Sequence, residues 1–111
     1  MDIQPITYRG RTVAACTRRR FFLSDDIADR DPNDPVVSFV IGMCLYARLI
    51  AAGDAPGPYS DDAARAYARE CLIPDEVLDR DVADIERVAT WLRVPVDELR
   101  LALSERAAVT H

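Results

Sequence analysis

The sequence predicts a mainly α, α+β fold: a small helical domain of about four to five helices behind a short N-terminal β-hairpin. Three observations carry that expectation. Residues 6–16 are rich in β-branched side chains around a single Arg9-Gly10 bend, the pattern of two short strands. From Val36 onward, apolar residues recur every three or four positions, the helical period. Each periodic stretch opens on a polar cap or Pro, and all but the last close at Gly or Pro, where helices start and stop. The chain has 111 residues, half apolar and 30% charged, which fits one domain spanning 1–111 with a core of its own.

The elements follow in order. Ile6 to Cys16 is the hairpin, and Thr17-Arg-Arg-Arg-Phe-Phe-Leu-Ser24 completes a basic arm, so that 1–24 forms one region. Residues 25–35 are acidic and broken by Pro32 and Pro35, an expected loop with room for at most a turn or two of helix. The helical core is expected over 36–106. Its first helix, Val36 to Ala52, starts behind Asn33-Asp34-Pro35 and stops at Gly53, with Phe39, Met43, Tyr46, Leu49 and Ile50 on one face; that makes it the central helix. Ser60-Asp-Asp-Ala opens the next, from about Asp61 to Cys71, because a hydroxyl cap and early acids suit the positive end of a helix. Pro74 ends it and starts a short turn to Asp79. Val82, Ile85, Val88, Ala89 and Leu92 mark a helix from Asp81 to Leu92, and Pro95 opens the last, with Leu99, Leu101, Ala102 and Leu103 as its apolar residues. The tail, 107–111, is expected to fray.

Charge is unevenly placed. All 14 basic residues are Arg; residues 1–24 carry a net +4 and residues 25–111 a net −9. Attraction to nucleic acid is therefore confined to the N-terminal arm, since the rest of the surface repels phosphate. Cys16, Cys44 and Cys71 are odd in number and widely spaced, and the chain opens on Met-Asp-Ile-Gln without an apolar signal segment, so a reduced, cytoplasmic setting is expected. The longest apolar run, Val36 to Ala52, contains Arg48 and falls short of the roughly 20 residues that a bilayer requires; no membrane partner is expected.

Little side-chain chemistry is on offer. The one His is His111, which leaves no positioned imidazole for a triad or a two-His metal site. The cysteines form no C-x-x-C pair and read as three small core residues, so no metal and no cofactor are expected. Asp25, Asp26 and Asp29, and Asp61 and Asp62, are grouped carboxylates that read as caps and solvated surface, or alternatively as a cation or acid–base cluster. Arg18-Arg19-Arg20-Phe21-Phe22 reads either as a charged aromatic arm for nucleic acid or as a strand whose Arg stems cover the core edge. Ile85 to Leu103 has the outline of a helix-turn-helix, against which stand Asp97, Glu98 and Glu105 on the second helix.

Two stretches carry a family resemblance. Ala63-Ala-Arg-Ala-Tyr-Ala-Arg-Glu-Cys-Leu-Ile-Pro74 and Ile85-Glu-Arg-Val-Ala-Thr-Trp-Leu-Arg-Val-Pro-Val-Asp-Glu-Leu-Arg-Leu-Ala-Leu103 resemble the C-terminal half of the ImmA/IrrE-type metallopeptidases, with their E-A-N-x-F-A-x-x-L-L-M-P helix and following helix pair. The resemblance covers roughly 45 residues. In that family the preceding helix bears H-E-x-x-H, two His for zinc and a Glu that activates water. Here Phe39-Val-Ile-Gly-Met43 stands in that place. A second register sets Asp25 and Asp29 at the His positions, with Asp62 for the family's later acid. The resemblance implies the scaffold without its metal, a pseudoenzyme.

The expected function is accordingly a non-catalytic, protein-binding regulator associated with phages or mobile elements, whose partner, by the resemblance, is a helix-turn-helix transcriptional regulator. Arg18, Arg19, Arg20, Phe22, Tyr59, Trp91 and Arg93 are the expected binding residues. A homodimer is left open. The rival expectations are a nucleic-acid-binding regulator using the basic arm and the C-terminal helix pair, and a residual metal-dependent hydrolase using Asp25, Asp26, Asp29 or Asp62.

Overall fold

A computed structural model describes residues 3–80 and 82–109. Three antiparallel strands, β1 (Gln4–Tyr8), β2 (Arg11–Cys16) and β3 (Phe21–Leu23), lie in the order β1-β2-β3. They are followed by α1 (Asp25–Ala28), α2 (Pro35–Ala51), α3 (Asp61–Leu72), α4 (Asp75–Leu78), α5 (Ile85–Leu92) and α6 (Val96–Val109). The small α+β class is thus the one expected, with a third strand added and the turns expected in 25–35 and after Pro74 present as the one-turn helices α1 and α4. None of these helices is long and apolar enough to cross a membrane.

Local chemistry explains the boundaries. Arg9 and Gly10 both take positive φ, 55° and 76°, which gives the two-residue turn whose twist matches that of a hairpin. The register slips between Ile6 and Thr7, leaving Val13 as a bulge residue that is buried beside Ala14. Side-chain oxygens of Ser24, Asp34, Ser60 and Asp84 accept from the first-turn amides of α1, α2, α3 and α5, satisfying donors that a helix start leaves open. At the end of α5, Arg93 is left-handed (φ 58°), and its N–H and that of Val94 return to the Ala89 carbonyl. This non-Gly αL cap turns the chain sharply into Pro95 and α6.

One expected boundary holds and two move. The acidic stretch 25–35 keeps to the turn or two of helix expected of it: α1 is one turn, started by the Ser24 cap, and it carries Ile27, 2% exposed, into the core. The helix expected from Asp81 begins at Ile85 behind its Asp84 cap, and Asp81 itself lies outside the described residues. Helix α6 runs to Val109, past the expected end of the helical core at 106; Arg106 makes ion pairs of 2.8 Å to Asp75 and 2.7 Å to Asp79. Thr110 and His111 lie outside the described residues.

Two apolar clusters form. The larger joins the inner face of the sheet to α2 and α3 around Ile6, Tyr8, Phe39, Val40, Met43 and Ala68. Helices α2 and α3 meet closely at Gly42, where a Cβ would lie 2.9 Å from the Ala68 Cβ. The smaller cluster gathers Ile73, Ala89, Val94, Leu99 and Ala102 among α4, α5 and α6. Cys16 and Cys44 sit in the larger core, but Cys71 is exposed. Ala64, Ala68 and Leu72 form the inward stripe of α3, and Cys71 falls one residue, about 100° of helix, short of it.

Candidate functional site

Antiparallel pairing puts Cys16 beside Phe21 and Ala14 beside Leu23, and these rungs face the helices. The intervening rung, Pro5, Ala15 and Phe22, faces the other way because strand side chains alternate. That outer face is left to solvent. Phe22 is 55% exposed and Ile3, just before β1, is 63% exposed.

The turn between β2 and β3 fixes three arginines at the end of this face. Thr17 N–H donates to the Arg20 carbonyl at 2.7 Å, and the Thr17 hydroxyl accepts from Arg20 N–H at 3.1 Å. The backbone of 17–20 is thereby closed as a tight loop, with Arg18, Arg19 and Arg20 all exposed. Ile3, Thr17, Phe22 and the three arginines line a groove of about 510 Å³. Arg9, Arg11, Arg30, Arg65, Arg69 and Arg106 each pair with a carboxylate. Among the described residues, Arg18, Arg19 and Arg20 have no such partner.

The other expected binding residues are placed differently. Tyr59 is half-buried, its ring 6.3 Å from that of Tyr46 and its hydroxyl donating to Asp61 at 2.8 Å; burial, then the Asp61 carboxylate, pushes the phenol well above its ordinary range. It lines a neighbouring groove of about 440 Å³ that shares Ile3 and Arg18 with the first. Trp91 is 77% exposed on α5, and Arg93 is exposed beyond it, its backbone serving as the helix cap. Neither lines these two grooves. The seven residues therefore divide into the Arg18–Phe22 group with Tyr59 at its margin, and a separate pair on α5.

The carboxylates considered for metal chemistry are dispersed. Asp25, Asp26 and Asp29 are exposed on or beside α1, with Asp26 facing Arg11 at 3.8 Å. The Asp62 side chain, 96% exposed, faces Arg65 at 3.7 Å. Among the described residues no three His, Cys, Asp or Glu side chains converge on one point. Phe39, Val40 and Met43 are fully buried in the larger core.

One polar centre escaped sequence reasoning. Glu98, 1% exposed, accepts from the Tyr8 hydroxyl at 3.0 Å, from Arg65 Nε and Nη2 at 3.0 and 3.2 Å, and from Arg69 Nη1 at 3.0 Å. Burial and then the Glu98 charge push the Tyr8 phenol far above its ordinary range, and the hydrogen bonds that Arg65 donates to Glu98 raise the Arg65 guanidinium. Every lone-pair direction of this carboxylate is engaged within the protein, so it serves as a cross-link of β1, α3 and α6. The signal was available: Arg65 and Arg69 stand one turn apart on α3, a pair suited to a shared carboxylate. Glu98 turns inward and Asp97 pairs with Arg9 at 2.7 Å. The start of α6 is thus docked on the sheet and α3, where a recognition helix would need it free.

No protein-family profile, no curated protein and no solved structure matches this chain. The ImmA/IrrE resemblance rests on the quoted motifs alone.

Proposed function

We propose that this protein is a non-catalytic, protein-binding regulator on a metallopeptidase-like scaffold. Its partner, following the ImmA/IrrE resemblance, is a helix-turn-helix transcriptional regulator carried by a phage or mobile element. The observation that carries the binding role is the solvent-facing apolar rung of the sheet, with Ile3 and Phe22 beside three arginines held on a closed turn. Apolar surface of this kind, bordered by charge, is the composition of a docking site. The scaffold reading is supported by the packing of Phe39, Val40 and Met43 in the place of the family's H-E-x-x-H, where buried His and Glu without a metal would be costly polar groups.

A photo-crosslinking residue placed at Phe22, and separately at Arg87 on α5, tests the reading in the cells that make the protein. One protein adduct from position 22 that position 87 does not give is the expected result. Adducts to nucleic acid alone, or none above the position 87 control, would sink it. The nucleic-acid alternative has the same arginines in its favour, and the same experiment separates the two.

A further inference from the structure

We infer, building on the docking reading above, that the occupant of the Ile3–Phe22 groove is a short acidic segment of a partner protein bearing one bulky apolar side chain. The floor and the rim of the groove ask for different chemistry. Ile3 and Phe22 supply an exposed aliphatic and aromatic floor, which gains by being covered with apolar surface. The rim is three guanidiniums on consecutive residues, suited to planar, two-point pairing with carboxylates. Six arginines elsewhere in the fold are matched to carboxylates within it; Arg18, Arg19 and Arg20 share with Arg48, Arg80, Arg87, Arg93 and Arg100 the lack of such a match among the described residues, but only these three stand on consecutive residues of one turn beside exposed apolar side chains. The missing counter-charge is what a partner would bring.

The turn geometry favours binding. Thr17 closes the loop with two hydrogen bonds, to the Arg20 carbonyl and from its N–H, so the backbone bearing the arginines is ordered before a partner arrives. Preorganisation of that kind lowers the entropic cost of association. A groove of about 510 Å³ lies within the range of about 300–1,000 Å³ over which compact ligand groups are seated. One apolar side chain flanked by carboxylates would fill the floor and reach the rim together.

Other occupants fit less well. A second copy placed symmetrically on this face would set six guanidiniums against one another, and like charges across an interface suppress pairing. Nucleic acid would meet a chain whose residues 25–111 carry −9, and the groove floor holds one aromatic ring, Phe22, beside aliphatic Ile3, which limits base stacking to a single platform. A peptide needs neither a broad positive field nor a stack of rings.

Selection of displayed random dodecapeptides on the full chain tests the inference. Enriched peptides are then synthesised and their binding is measured by fluorescence anisotropy. The proteins compared are wild type, an Arg18→Ala, Arg19→Ala, Arg20→Ala variant, Phe22→Ala, and Arg87→Ala as a control. All these side chains are exposed, and circular dichroism melts verify that each variant folds. The expected outcome is enrichment of Asp and Glu around a Leu, Phe or Trp. Binding should weaken about tenfold in the triple-arginine variant, since three exposed ion pairs are lost together. A similar loss is expected in Phe22→Ala, and none in Arg87→Ala. Peptides without acids, or binding indifferent to the arginine changes, would overturn the partner chemistry while leaving protein docking in place. No enrichment, with an oligodeoxythymidine bound through the same arginines, would overturn both readings. Concentration-dependent doubling of mass that Phe22→Ala abolishes would make the occupant a second copy and overturn the acidic segment.

Discussion

The two apolar clusters are held together by different physics. The larger one, made by the sheet, α2 and α3, contains fourteen buried side chains among the described residues, with Phe39, Ile6, Val40 and Met43 at 0% exposure. The smaller one, made by α4, α5 and α6, contains five. A core that small provides little burial of its own, and the C-terminal helices reach the rest of the molecule through named polar contacts. Glu98 binds Tyr8, Arg65 and Arg69, and Asp97 binds Arg9, whereas Arg106 ties α6 to α4 within the smaller unit through Asp75 and Asp79. Apolar contact stabilises the first unit without regard to charge state. The attachment of the second relies on one buried carboxylate keeping its Tyr8, Arg65 and Arg69 partners.

That contrast is open to experiment. The largest effect is expected from Phe39→Ala, which removes a fully buried ring from the larger core and should cost about 4 kcal/mol, seen as loss of the whole cooperative transition in urea melts. Glu98→Ala should follow at about 3 kcal/mol, because two guanidiniums that are two-thirds or more buried lose their buried carboxylate and keep only the exposed Asp62 and Glu105. Its signature is regional. Hydrogen exchange should accelerate in α5 and α6 while α2 amides keep their protection, and uniform loss across the chain would mean that the two clusters are one unit.

Gly42→Ala is expected to destabilise by about 1–2 kcal/mol. The new Cβ meets Ala68 at 2.9 Å, a short, rigid neighbour that moves only if α2 and α3 separate; the better helix propensity of Ala offsets about 1 kcal/mol of a larger strain. A neutral or stabilising result would mean that the helices yield more readily than their contact suggests.

Tyr8 gives the comparison a pH dependence. Its phenol is raised in the folded state by burial and by Glu98, so its contribution is complete below the ordinary phenol value of about 10 and declines as pH rises above it. Wild type should lose stability beyond about pH 10 more steeply than Tyr8→Phe, with Tyr59 leaving a residual slope in both. Equal slopes would detach Tyr8 from the effect. The smallest perturbation uses the thiols. Cys71 is exposed, while Cys16 is 3% and Cys44 0% exposed, and hydrogen bonding to Cys16 together with burial pushes the Cys44 thiol upward. One thiol per chain should react rapidly with a maleimide in native buffer, and three after denaturation; rapid reaction of three in native buffer would show that the larger core opens.

Much of this architecture was legible in the amino acids. The Arg9-Gly10 bend, the Asp34 and Ser60 caps and the periodicity of α2 and α5 depend on residues near one another in the chain, so local sequence determined them. The class followed, as did the central place of α2. The fate of each polar residue did not follow from local pattern. Glu98 reads like any first-turn acid, yet three partners from β1 and α3 make it the most buried charge described. Phe22 differs from Phe21 only by one step of strand alternation, and the pairing of β3 with β2 decided which ring faced solvent. Tyr59 and Trp91 were equal candidates until packing half-covered one and left the other bare. Caps and turns are set by neighbours within a few residues, whereas burial and charge pairing are set by residues up to ninety positions away; only the tertiary structure brings those together.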